Sequence, residues 1–349
     1  MITNNIQNEI IDFVPNKEFS KLKPKRSGFS RKAKELLKKA LFFKINRDIK
    51  KRNLKFLEFR KKKLRISAIT YQGDEEIKKN KPIYDKYIVG SDQVWNTDLS
   101  NDSKTFYLDF VKKEKKIAYA ASFGQEFLKA NEREYIKKYL RTFDFLSLRE
   151  ELHQKMLLKM FNLKAEFVLD PVFLLDKSKW QKLINPLNLP KRYLVVYILE
   201  YSQELIKHAK QMAKKKECKV IYIPFVAGDS LRHNVYTNLG LDSLKGSIYN
   251  NLGPTEFLAV LANAEYICTN SFHGLAFSII FEKNFTVCKH PFRNLRIDNL
   301  LKVLDLKSRY LDCKSNKCVK IDYKSVEKRL NPWLIKSKKF LATAIKENN

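Results

Sequence analysis

The stretch from Glu265 to Phe281 constrains the fold more than any other part of the chain. Glu265-Tyr-Ile-Cys268 is a short apolar run of strand-forming residues. Beyond it, Phe272, Leu275, Ala276, Ile279 and Ile280 recur at the spacing of a helix with one buried face. Thr269, Asn270 and Ser271, which lie between, are residue types that cap helices. The pattern predicts a buried strand feeding a buried helix, with His273 and Gly274 in its first turn. Such a turn offers unpaired N–H groups and the positive end of the helix dipole, a setting that suits a phosphate or carboxylate. A lone histidine is more often structural than catalytic. Here, however, the polar cluster falls beyond the carboxyl end of a strand, where open α/β sheets hold their ligands. His273 is therefore a catalytic candidate, with Asn270 and Ser271 as candidate substrate contacts.

The same grammar recurs upstream. Tyr87 to Val89 is a short strand that breaks at Gly90 into a polar loop carrying Ser91, Asp92, Trp95 and Asn96. Lys116 to Ala121 is a buried strand ending at Ser122 and Gly124. Phe145 to Leu148 delivers Arg149 and Glu150, and Phe167-Val-Leu-Asp-Pro171 closes the series. Helical segments separate these strands, so the expected fold class is α/β, with a parallel, doubly wound sheet. Pro186 and Pro190 mark a connection over 176–192, after which Tyr193 to Leu199 opens a second α/β unit. The reading gives an N-terminal Rossmann-like domain over 1–175, with a basic helical segment at 21–65. A C-terminal Rossmann-like domain follows over 176–330, then a basic C-terminal helix over 331–349. Ligands belong in the cleft between the domains.

At 349 residues, with 44% hydrophobic and 12% aromatic content, the chain has ample material for packed cores. No apolar run approaches the ~20 residues of a membrane span, and the first thirty residues lack the apolar core of a signal peptide. A cytoplasmic location is expected. The five cysteines are odd in number and two fall inside expected strands, which argues against a disulfide framework. Cys313 and Cys318 have neither a second pair nor a nearby histidine to make a metal site. With 69 Lys and Arg against 38 Asp and Glu, the formal charge is +31. Either an anionic partner or a lysine-rich composition accounts for it. No nucleic-acid-binding motif accompanies the charge, so a membrane surface or an anionic substrate ranks above DNA or RNA.

Several motifs together support a resemblance. They are Tyr-Ile-Val-Gly-Ser-Asp-Gln-Val-Trp-Asn (87–96), Tyr-Leu-Asp-Phe (107–110), Ala-Tyr-Ala-Ala-Ser-Phe-Gly (118–124), Ser-Leu-Arg-Glu (147–150) and Val-Leu-Asp-Pro (168–171), followed by Gly-Pro-Thr-Glu-Phe (253–257), Thr-Asn-Ser-Phe-His-Gly (269–274) and Arg-Asn-Leu-Arg-Ile (293–297). In this order they resemble the polysaccharide pyruvyl transferase family. The resemblance implies a GT-B-like fold of two Rossmann-like domains with the active site between them. It implies transfer of the pyruvyl group of phosphoenolpyruvate onto a sugar of a surface polysaccharide, or its lipid-linked precursor, as a cyclic ketal. Phosphoenolpyruvate is then a co-substrate, and no metal or other cofactor is implied.

By this resemblance His273 matches the histidine of the family's Arg-Leu-His-Gly motif, and Arg149 the arginine of its Ser-x-Arg motif. An imidazole titrates near neutrality and suits proton delivery to the methylene carbon. Arg149, Arg293 and Arg296 are candidate cations for phosphate and carboxylate. Asp92 reads either as a base toward an acceptor hydroxyl or as a turn residue after Gly90. Ser91, Asn96 and Ser122 join the candidate substrate contacts. Trp95 reads as a sugar platform or as core, and Asp170 as a turn residue. Two departures from the family pattern stand out. Ser271 and Phe272 replace Arg-Leu, and Ile11-Asp-Phe13 comes so early that a first βα unit is expected to be absent. A peripheral place at an anionic membrane face fits the charge. A nucleotide-sugar glycosyltransferase of the same fold and a degenerate, glycan- or partner-binding paralogue are the competing readings.

Overall fold

The computed structural model describes residues 6–15, 32–100, 103–224, 247–289, 294–311 and 320–346. The candidate Arg293, the Cys313–Cys318 pair, most of the basic run before residue 32 and most of the Gly/Asn-rich loop lie outside these residues. In the N-terminal half, β1 (Ile10–Val14) and β2 (Ile66–Gln72) pair in parallel, with α1 (Lys32–Lys63) as their crossover. The described part of the basic segment thus forms one long helix, and a strand that the pattern does not single out follows it. The short helix α2 (Gly73–Lys79) leads to a four-stranded parallel sheet of β3 (Lys86–Val89), β4 (Lys115–Ala121), β5 (Phe145–Leu148) and β6 (Glu166–Phe167), in that order. Around it lie α3 (Thr97–Ser100), α4 (Arg133–Leu140) and α5 (Glu151–Phe161). Trp95 is buried here and stacks on Tyr107, so of its two readings the core one holds.

A short helix, α6 (Lys177–Gln181), precedes the C-terminal half. There follow β7 (Tyr193–Ile198), α7 (Gln203–Lys215), β8 (Lys219–Pro224), β9 (Ser247–Ile248), α8 (Pro254–Ala262), β10 (Tyr266–Thr269), α9 (Phe272–Ile280), β11 (Phe285–Val287) and α10 (Leu295–Leu304). The sheet order β9-β8-β7-β10-β11 is the doubly wound order 3-2-1-4-5, and every pairing is parallel. Its central strand is covered on both faces. Leu194, Val196 and Ile198 pack against α7, whereas Tyr193 and Val195 enter the larger core built with α8, α9 and α10. This explains the unbroken apolar run of β7, since a strand buried on both sides has no polar face to show.

Two helices tie the halves together. α11 (Tyr323–Lys346) returns to the N-terminal half, where Trp333 meets Phe167 edge-on and Phe340 packs against Tyr119 and Phe145. A proline inside a helix ordinarily breaks or kinks it, yet this one runs through Pro332. Packing on both halves outweighs the one hydrogen bond that a proline removes. α1 reaches the other way. Lys55 Nζ donates to both carboxylate oxygens of Glu256 at 2.6 and 2.7 Å, and Gly253 leaves room for the Lys55 side chain beside α8. The result is a GT-B-like α/β protein whose sheets turn their carboxyl edges toward one cleft. No helix among the described residues is long and apolar enough to cross a membrane.

Candidate functional site

The N-terminal wall of the site begins at the end of β3. Gly90 has φ +106°, and a Cβ there would lie 2.2 Å from the Tyr119 carbonyl oxygen, so only glycine lets the chain turn so close to β4. Asp92 follows with φ 67°, a conformation that aspartate tolerates better than most residues. Its carbonyl accepts from Ser122 N at 3.0 Å, which fastens the loop along the extension of β4. Three carboxylates then surround one guanidinium. Arg149, at the end of β5, donates from Nη2 to Asp92 Oδ1 at 2.9 Å and from Nη1 to Asp170 Oδ2 at 2.5 Å. Glu150 Oε1 stands 3.9 Å from its Nε, which has no hydrogen-bond partner among the described residues. The Arg149 and Asp170 side chains are 2% and 1% exposed, against 56% for Asp92. Asp92 is therefore the carboxylate turned to the cleft, and Arg149 the buried cation that holds it.

The C-terminal wall comes from the strand–helix turn. Asn270 Oδ1 accepts from Leu199 N, and its Nδ2 donates to the Glu200 carbonyl, both at 2.8 Å. It stitches β10 to the end of β7 at the point where the sheet order reverses. Ser271 caps α9 by accepting from Gly274 N. The first-turn amides of Phe272 and His273 donate to no acceptor among the described residues. Phe272 extends across the cleft and places its ring 4.7 Å from the Arg149 guanidinium and 5.9 Å from that of Arg296. From α10, Arg296 Nη1 reaches Asp92 Oδ1 at 3.3 Å. With its oxygen turned toward Arg296, the Gln93 amide accepts from Nη2 at 2.9 Å.

Electrostatics divide these groups by task. Burial pushes the Asp92 carboxyl upward, but the charge and hydrogen bond of Arg149, with His273 and Arg296 behind them, hold it below the usual carboxylate range. Burial lowers His273; Asp170 and Asp92 oppose this, Arg149 and Arg296 add to it, and the net shift is down. The arrangement is an ionised aspartate and a neutral imidazole from opposite halves, with a cation and open helix amides beside them. It can accept an anion and carry protons on either side of it.

His273, Arg149, Asp92 and Arg296 thus come together. Ser91 lies at the edge of the cluster, its Oγ 3.4 Å from Asp170 Oδ2. Other candidates are engaged in scaffolding. Asn96 is buried against Gln93 and Gln125, and Ser122 donates to Glu150 and accepts from Gly124 N. Asn270 and the cap Ser271 also bond within the fold. A short polar side chain at a strand end serves the turn as readily as a ligand, and sequence cannot separate the two uses. Asp170 is the notable omission. It caps the turn after β6, accepting from Val172 N, and also holds Arg149. In the sequence it stands in the Val-Leu-Asp-Pro motif, where its place before Pro171 points to the turn. Gln93 lies in the 87–96 motif with nothing to set it apart there, and Tyr197 reads as one residue of an apolar strand.

Facing Rossmann-like sheets with charged side chains gathered at their carboxyl edges define a GT-B-like α/β protein. The chain belongs to the polysaccharide pyruvyl transferase family, whose model matches residues 7–290. No curated protein matches it significantly. Among solved structures it is similar to the UDP-GlcNAc 2-epimerase of Methanocaldococcus jannaschii, with 13% identity, TM-score 0.45 and coverage of 81% of this chain and 83% of that one. It is also similar to Anabaena HepE, crystallised with UDP, at 12% identity and TM-score 0.45, covering 97% of this chain and 99% of that one.

Proposed function

We propose that the protein transfers the pyruvyl group of phosphoenolpyruvate to two hydroxyls of a sugar in a surface polysaccharide or its lipid-linked precursor. The observation that carries this reading is the Asp92 carboxylate of one half held by Arg149 and by Arg296 of the other, within electrostatic reach of His273 at the open first turn of α9. Phosphoenolpyruvate is anionic at both its phosphate and its carboxylate, and this is the part of the cleft that offers cationic and N–H partners. His273, protonated once the anionic donor raises its pKa, gives its proton to the methylene carbon, and C2 becomes oxocarbenium-like. A sugar hydroxyl attacks C2 and passes its proton to Asp92. A second hydroxyl then attacks the same carbon and returns its proton to His273 as the C2–O bond to phosphate breaks, and the phosphate leaves with the proton held by Asp92. The products are the cyclic ketal and inorganic phosphate. Arg149 acts through Asp92, fixing the carboxylate and keeping it ionised. The step uses no metal or other cofactor. The charge of +31 favours a peripheral place at an anionic membrane face on the cytoplasmic side, where a lipid-linked acceptor would be presented.

Calorimetry with phosphoenolpyruvate tests the reading, with a nucleotide sugar as control. The wild type should bind phosphoenolpyruvate and not the control. Arg296→Ala should weaken binding by about 10-fold or more, the worth of a charge-assisted contact. His273→Ala should bind nearly normally but release no phosphate when acceptor is added. Binding of the nucleotide sugar alone would replace the pyruvyl donor with a glycosyl donor.

A further inference from the structure

Tyr197 is the last residue but one of the central strand β7, and its ring lies directly against the first turn of α9. Gly274 makes this approach possible, since a Cβ at that position would stand 2.9 Å from Tyr197 Cδ1. Phe257 holds the ring from the other side, edge-on with centroids 5.0 Å apart. The backbone is fixed as well, because the Tyr197 carbonyl accepts from Thr269 Oγ1 at 2.7 Å. Held in this way, the half-buried side chain carries its hydroxyl to the Ser271 side chain, within reach of the charges of Asp92 and of Arg52 on α1. An apolar packing role accounts for the ring. It does not account for a hydroxyl brought to the cap of a helix whose first amides are open.

We propose that Tyr197 is a further substrate-contacting residue, whose hydroxyl donates a hydrogen bond to the anionic group held at the first turn of α9. This rests on the phosphoenolpyruvate reading above. Burial raises the phenol, to about 12, so it stays protonated and remains a donor through the neutral range. Arg52 strengthens the same spot from α1. The Lys55–Glu256 contact one turn further along that helix keeps α1 on the C-terminal half and with it the Arg52 charge within reach of Tyr197.

Tyr197→Phe separates hydroxyl from ring, because the packing against Phe257 and Gly274 is retained. Phosphoenolpyruvate affinity by calorimetry and thermal unfolding are measured on wild type and variant. The expected result is an affinity about 5- to 20-fold weaker at an unchanged melting temperature, as for loss of one hydrogen bond to a charged group. Equal affinities would overturn the inference and leave the reading of the site intact. An affinity loss that travels with a lower melting temperature would overturn it too, by placing the hydroxyl in the scaffold. Absence of phosphoenolpyruvate binding by the wild type would overturn the reading itself, and the inference with it.

Discussion

The histidine and the aspartate of the site differ in what their surroundings ask of them. Asp92 is kept charged by a buried arginine that is itself balanced by Asp170 and Glu150. His273 is kept neutral by burial, with arginines on one side and carboxylates on the other. A proton donor that is neutral at rest must gain its proton on binding, and an anionic donor substrate supplies the reason. In the ligand-free protein the imidazole should titrate below its ordinary 6.5, and saturating phosphoenolpyruvate should raise the midpoint above that value. Side-chain NMR of His273 measures both, and a midpoint unmoved by the ligand removes it as the acid. Stability carries the same sign. A depressed histidine contributes fully above the unfolded value, and its contribution is lost as the pH falls from there through the folded one. Asp92 acts in the same direction but lower, losing its contribution as the pH falls below the usual carboxylate range.

For the strand–helix turn as an element, the decisive feature is how little space it leaves. A Cβ on Gly274 would lie 2.3 Å from Thr269 Oγ1, which cannot give way because it bonds the Tyr197 carbonyl and Ser271 N at once. Gly274→Ala should therefore lower the unfolding free energy by about 1–3 kcal/mol. Urea denaturation reads this as a lower midpoint at unchanged slope. A variant as stable as the wild type would mean that the turn is looser than its contacts imply. This element was also the most legible in sequence. Its apolar spacing and three capping residues located strand, turn and helix, because local propensity and burial agree there. Asp170 and Tyr197 were illegible for the opposite reason. Nothing local distinguishes a turn aspartate from one that holds Arg149, 21 positions away, or a core tyrosine from one whose hydroxyl reaches Ser271. The residues whose meaning lies in long-range partners are the ones that pattern cannot read. Pro332 belongs with them, since packing at both ends of α11 overrides the break it signals.

At the scale of the molecule, α11 joins the C-terminal half to the strand end that carries Asp170. Ser337 lies fully buried on this helix; its Oγ accepts from Leu169 N at 2.9 Å and donates to the Trp333 carbonyl at 2.6 Å. Leu169 precedes Asp170, so one hydroxyl on the last helix steadies the residue that anchors Arg149, and through it Asp92. Ser337→Ala removes the acceptor and leaves the Leu169 amide buried with no partner, at a cost of about 1–3 kcal/mol. Chemical denaturation measures the amount, and hydrogen exchange locates it. Amides around 167–170 should lose protection first, because the returning helix is what closes that strand end. If exchange there stays as slow as in the wild type, α11 covers the N-terminal half without fixing it. The carboxylate cluster would then owe its order to Arg149 alone.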